Sequence, residues 1–420
     1  MTSATPPNPL IIGLTGSFGS GCTYLADEIL TKLDRDSKYT GPDAPEQPAY
    51  RKLSLSDALR QMFHEQNGED AKKPHREALQ NFGDEMRAKH GAKYFAEQII
   101  SEIDSHTDSE PEKGWVVRGI RNPAEIQAFR ERSRNFFLFG IYADRETRWE
   151  RVRAEYEDDR RAFDKDDKRD TGEDSLPHGQ RVADCFAEAD IVITNDQNFV
   201  EPGNDDFAQD LAGKVAEYAA LVAHPLERQR SINPIESLMA MAYAASQRSS
   251  CNKRKVGAVI VDENSNVVSS GFNEVPEPGR DCVAVYRKCY RDWKCERFFK
   301  SLSTRYESLQ GEEEEVQKLF RSEFKILDLC RALHAEELAI LNFAKNGRST
   351  PLAKCTLYTT TYPCRMCANK IVSVGIKRIV YLEPYPDPEA KNILHARGVD
   401  QDFFEGVTFK AYFRLYGEEK

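Results

Sequence analysis

Two short stretches of this chain combine residues able to hold a metal and to move protons. His334-Ala335-Glu336 opens one helical pattern, and Pro363-Cys364-Arg365-Met366-Cys367 opens another. Side chains at i and i+3 share one face of a helix, so Cys364 and Cys367 can reach the same ion. With His334 they supply three ligands to a tetrahedral zinc and leave the fourth position to water. Zinc lowers the pKa of such a water toward neutrality. Glu336, two residues from the histidine, is placed to accept that proton and deliver it elsewhere. Taken singly, a Cys-x-x-Cys also fits a structural zinc knuckle, and a lone histidine is usually a satisfied polar group. His-x-Glu, Pro-Cys-x-x-Cys and an apolar strand between them coincide here, which favours hydrolytic zinc chemistry, with Glu336 as the catalytic proton carrier.

A second constellation lies near the start. Gly16-Ser17-Phe18-Gly19-Ser20-Gly21-Cys22-Thr23 has the spacing of a phosphate-binding loop, with Cys22 in the position of the usual lysine. Gly16, Gly19 and Gly21 allow backbone N–H groups to curl around a phosphate, and the following helix adds a favourable dipole. Thr23 is the residue type that holds Mg²⁺ beside a bound nucleotide. Without the lysine, efficient phosphoryl transfer is not expected, and nucleotide binding remains. A degenerate scaffold that binds nothing is the competing reading.

The chain has 420 residues, ten cysteines and a formal net charge of -10. Eight of the cysteines follow residue 250, which in a reducing compartment points to metal binding rather than disulfides. The acidic balance argues mildly against a polynucleotide partner, whose phosphates call for a basic face. No apolar run is long enough to span a bilayer, and Met1–Pro9 lacks a secretory pattern, so the expected location is cytoplasmic, with no membrane partner.

These sites need elements to position them. Leu10–Leu14 reads as a strand, Thr23–Leu33 as a helix, and Trp115–Val117, Phe136–Tyr142 and Ile191–Thr194 as further strands. Strands alternating with charged helical segments predict α/β architecture with a parallel sheet. The charge-dense stretch Asp144–Asp174 fits a solvated helix or an arginine-bearing lid. A boundary is expected near Ala223–Asn233, giving domains 1–228 and 229–420. Beyond it come a helix over Ile235–Arg248 and strands at Val256–Val261, Val267–Gly271, Cys355–Thr361, Arg378–Leu382 and Val407–Phe413. A cysteine-bearing insertion fills Glu274–Lys325, whose acidic run Glu312–Glu315 reads as a solvated helix face.

Residues 236–415 resemble the dCMP deaminase branch of the zinc cytidine deaminases through Lys255–Ile260, Gly271-Phe272-Asn273, His334-Ala335-Glu336, Pro363-Cys364 and Ile376-Lys377. The resemblance implies an α/β/α domain with a five-stranded sheet, and hydrolytic deamination at C4 of a cytosine ring. It further implies that Asn273 bonds the sugar, Ala335 presents backbone groups to the base, and Tyr385 closes over the sugar-phosphate. Lys345 matches a basic residue of the allosteric nucleotide pocket in phage-type enzymes. Cys251 and Cys282 match structural-zinc ligands there, with Cys289, Cys295 and Cys330 available to complete a closed site, Cys289 and Cys330 preferred.

The N-terminal domain is similar to P-loop nucleotide and dephospho-coenzyme A kinases, with Asn195-Asp196 resembling the adenine-side loop. The order of the two domains resembles the bacterial anti-phage dCTP deaminases. That resemblance implies conversion of dCTP, and also dCMP, to deoxyuridine nucleotides, depleting dCTP during infection. It implies regulation by a nucleotide such as ATP or dTTP, a homo-oligomer, and an inhibitory RNA or protein partner. A polynucleotide-editing deaminase and a nucleotide-controlled binding switch remain open alternatives.

Overall fold

The computed structural model describes residues 9–38, 50–67, 76–107, 114–172, 179–196, 205–224, 232–277, 279–305, 311–324, 329–347, 350–383 and 388–417. Contacts divide the chain into two units, Met1–Asn233 with Glu405–Lys420, and Pro234–Phe404. The sequence-based boundary assigned everything after residue 228 to the second domain. The first unit instead includes the C-terminal segment.

The strands are β1 (Leu10–Thr15), β2 (Tyr50–Ser54), β3 (Gly114–Arg118), β4 (Phe136–Tyr142), β5 (Ile191–Thr194), β6 (Gly257–Val261), β7 (Val267–Phe272), β8 (Thr356–Thr361), β9 (Arg378–Glu383), β10 (Asp400–Phe403) and β11 (Gly406–Val407). In the first unit they form a six-stranded sheet of order β11-β5-β4-β1-β3-β2. Every pair is parallel except β11 on β5. The expected parallel sheet therefore carries one antiparallel edge, contributed by the chain's end.

β1 is apolar from Leu10 to Leu14 because both of its faces are covered. Leu10, Ile12 and Leu14 enter one core with the helix Cys22–Lys38, and Ile11 enters another with Trp115, Val117 and Phe129. The chain steps from β1 to neighbours on opposite sides, β3 and β4, so the loop after β1 leaves the sheet at its topological switch point.

The second unit holds a five-stranded sheet of order β10-β9-β8-β6-β7, antiparallel around β6 and parallel from β8 to β10. Its core gathers Val256, Ala258, Ile260, Leu357, Ile371, Ile376 and Ile379. The helix Ala335–Lys345 packs on β7, and the helix Arg365–Val374 follows β8. The close approach of the first helix depends on Gly271, where a Cβ would collide with the Ala335 carbonyl oxygen and the Ala339 nitrogen.

One expected strand needs correction. Val407–Phe413 is not a strand, because only Gly406 and Val407 pair, and Phe409–Tyr416 is a helix burying Ala411 and Leu415. β2 and β10 are short polar strands that apolar patterning passes over. Among the described residues no helix is long and apolar enough to cross a membrane.

Candidate metal and proton-transfer site

His334 is the N-cap of the helix Ala335–Lys345, and Cys364 is the N-cap of the helix Arg365–Val374, with Cys367 one turn in. Both helices point their positive ends at one place, which favours thiolate over thiol. His334 Nδ1 lies 3.2 Å from Cys364 Sγ and 3.3 Å from Cys367 Sγ. All three ligand atoms fall within 4.8 Å of one another. A tetrahedral zinc with ordinary Zn–N and Zn–S bonds needs ligand separations of roughly 3.5–3.8 Å, so this donor set fits the ion.

Glu336 is 3% exposed, with Oε2 3.6 Å from Cys367 Sγ. Burial pushes its carboxyl up from the ordinary value. The hydrogen bond with Cys367, assisted by His334, draws the Cys364 thiol down to about 4, and the Cys367 thiol is pushed up by the same pairing. Glu337 and Lys370, which the motifs did not reveal, join the two helices through a 3.2 Å ion pair.

The other expected residues fall differently. Asn273 is buried, but its amide serves its own loop, accepting from Val256 N at 2.7 Å and donating to the Arg254 carbonyl at 2.8 Å. Ala335 is fully buried, and Lys345 is exposed in the last turn of its helix. Tyr385 lies outside the described residues. Cys251, Cys282, Cys289 and Cys330 line one cavity together with Glu274 and Tyr290. Among the described residues no three of these sulfurs approach within 4.8 Å of one another. Cys295 is a core side chain, 2% exposed.

In the first unit the glycine loop is held from one side. Arg151 Nη1 donates to the Gly19 carbonyl at 3.1 Å, and Asn195 Nδ2 to the Ser20 carbonyl at 2.8 Å. Gly21 has φ +96, and a Cβ there would strike the Asn195 amide, so glycine is required on both counts. Cys22 Sγ sits 3.5 Å from Ser20 Oγ, and Thr23 Oγ1 accepts from Arg118 Nη1 at 3.0 Å. The charge-dense segment is two packed helices, Arg145–Val152 and Arg160–Thr171, anchored by Phe163 on Phe18 and by the buried Arg148–Asp167 pair.

Residues 232–383 match the model of the cytidine and deoxycytidylate deaminase zinc-binding region. The deoxycytidylate deaminase of Enterobacteria phage T4 is 32% identical over 177 residues, which is 39% of this chain and 86% of the phage protein. The chain belongs to the cytidine and deoxycytidylate deaminase family. The deoxycytidylate deaminase of Schizosaccharomyces pombe is 34% identical over 162 residues, 38% of this chain and 41% of the yeast protein. A structure of dCMP deaminase from cyanophage S-TIM5 in complex with dCMP and dUMP aligns at 23% identity and TM-score 0.28, covering 41% of this chain and all of the other. The matched part of this deaminase is the unit that carries His334, Glu336, Cys364 and Cys367.

Proposed function

We propose that this deaminase converts deoxycytidine nucleotides, dCMP or dCTP, to the corresponding deoxyuridine nucleotides by hydrolysis at C4. The observation that carries the reading is the buried Glu336 carboxylate lying 3.6 Å from a thiol of the His334–Cys364–Cys367 set. His334, Cys364 and Cys367 would hold a zinc ion, which when bound would make a water more acidic. Glu336 takes the proton that this water gives up, carries it to ring N3, and then assists departure of the amino group as ammonia. Water is consumed and one ammonia leaves, so the conversion of cytosine to uracil balances. The sheet and helix walls around Glu336 keep other solvent from its carboxylate.

The cavity lined by Cys251, Cys282, Cys289 and Cys330 supports a second, structural zinc, which would draw the four thiols together. The N-terminal unit is proposed as a nucleotide-binding regulator, on the support of a glycine loop at the switch point of a parallel sheet. Its ligand is a nucleotide such as ATP or dTTP, with Mg²⁺ as counter-ion. In this reading dCTP is depleted when the enzyme is released, in defence against phage. The allosteric role of Lys345, the sugar contact of Asn273, assembly into an oligomer and an inhibitory RNA or protein partner belong to the same proposal.

The test is direct. The full-length protein is incubated with deoxycytidine, dCMP, dCTP, CTP and a cytosine-containing oligonucleotide, with and without ATP or dTTP, and ammonia and uracil products are measured. Product from dCMP or dCTP is expected, and conversion of the oligonucleotide alone would overturn the substrate assignment.

A further inference from the structure

Resting on the reading of the N-terminal unit as a nucleotide-binding body, we propose that Arg121 supplies the cation which Cys22 cannot. In the same proposal Asp170 is a built-in carboxylate that holds the place of a ligand phosphate.

The glycine loop turns its carbonyls one way. Those of Phe18, Gly19 and Ser20 accept from Arg148 at 3.4 Å, Arg151 at 3.1 Å and Asn195 at 2.8 Å. In a planar trans peptide the N–H points opposite to the C=O, so the N–H groups of Gly19 and Gly21 turn away from the three side chains, while that of Ser20 closes the loop's own turn on the Ser17 carbonyl at 3.1 Å. The adjoining N–H, that of Phe18, donates to Asp170 Oδ2 at 3.2 Å. Asp170 is fully buried, and its other oxygen accepts from Arg121 Nη1 at 2.6 Å. A loop suited to giving N–H groups to an anion thus already holds one, taken from its own chain.

Arg121 is set firmly in place. The N–H groups of Arg121 and Asn122 donate to Glu125 Oε2 at 2.8 and 3.0 Å, and Glu125 Oε1 pairs with Arg87 at 2.9 Å. The Arg121 guanidinium remains 21% exposed, so it can meet a ligand without unfolding its surroundings. At the helix end of the loop, Arg118 binds Thr23 and Asp57, and its Nε is buried without an acceptor. A phosphate oxygen entering the loop would take over the Phe18 N–H and the Arg121 guanidinium together, releasing Asp170.

The experiment is titration of the full-length protein with ATP and with tripolyphosphate, alongside thermal melting. Asp170→Asn keeps an acceptor for the Phe18 N–H but removes the competing charge. It is expected to tighten binding on the order of tenfold while lowering the melting temperature, because a buried charge-assisted pair is lost. A purely structural Asp170 would give weaker or unchanged binding with the same loss of stability, which overturns the proposal. Should Asp170→Asn not fold, Arg121→Lys and Arg121→Ala carry the test. Both are expected to weaken ATP binding, alanine by more than lysine, and unchanged affinity in either overturns the proposal. If the wild-type protein binds neither probe, the nucleotide-binding reading fails with it. If the wild type binds and Asp170→Asn binds no tighter, the proposal fails while the nucleotide-binding reading stands.

Discussion

The Glu337 carboxylate and the Lys370 ammonium meet at 3.2 Å, joining the first turn of the helix capped by His334 to the second turn of the helix that carries the Cys364–Cys367 pair. Neither belongs to the metal set, yet each follows a ligand by three residues on its own helix. The ion pair therefore ties together the frames from which all three ligands project. Being partly exposed, it is worth about 0.2–1 kcal/mol. Lys370→Met is expected to lower stability by that much and to leave one zinc at His334, Cys364 and Cys367, read by denaturant melts and metal analysis.

Glu336 makes a sharper case. Glu336→Gln keeps the shape of the side chain and removes its capacity to carry a proton. Turnover should fall by roughly 10²–10⁴-fold with zinc content unchanged. Loss of the metal in this variant would contradict the role given to the carboxylate.

Gly271 sets the distance between β7 and the helix that presents His334 and Glu336. Gly271→Ala places a methyl group against the backbone at Ala335 and Ala339, which cannot yield as a side chain would. Overpacking of this kind costs about 1–3 kcal/mol. Because the helix itself must move, activity should drop along with stability. A variant with wild-type melting and turnover would show that the approach is looser than the structure has it.

Zinc content separates the two cysteine groups. The protein is expected to hold two zinc ions per chain, falling to one in Cys282→Ser, with a lower melting temperature. Chelation should abolish turnover and zinc should restore it. Two ions retained in Cys282→Ser would remove Cys282 from the ligand set.

Acid stability has a local signature at Glu188. Burial pushes its carboxyl up, but the hydrogen bonds and charges of Lys410 and Arg130 outweigh this and bring it below 4.5. The distances are 2.6 and 2.7 Å. A depressed carboxylate contributes stability that is present above the unfolded value and lost as pH falls through the folded one. Lys410→Met should therefore narrow the stability difference between neutral pH and pH below 4.5, measured by urea melts across that range.

The metal centre was legible in the residues because its chemistry is local. His334 with Glu336, and Cys364 with Cys367, are pairs set by helix geometry, and a helix N-terminus fixes where such side chains point. The apolar strands β1, β4, β5 and β9 were legible for a related reason, since burial on both faces leaves a continuous hydrophobic run. Other features depend on partners far away in the chain. Asn273 spends its amide on Arg254 and Val256, and Gly406-Val407 finds its pairing at β5, more than two hundred residues earlier. Arg121 and Asp170, forty-nine residues apart, have no pattern that joins them until the fold brings the loop after β3 against the helix Arg160–Thr171. Local spacing selects the ligands for an ion, whereas only the closed fold decides which charges face one another across it.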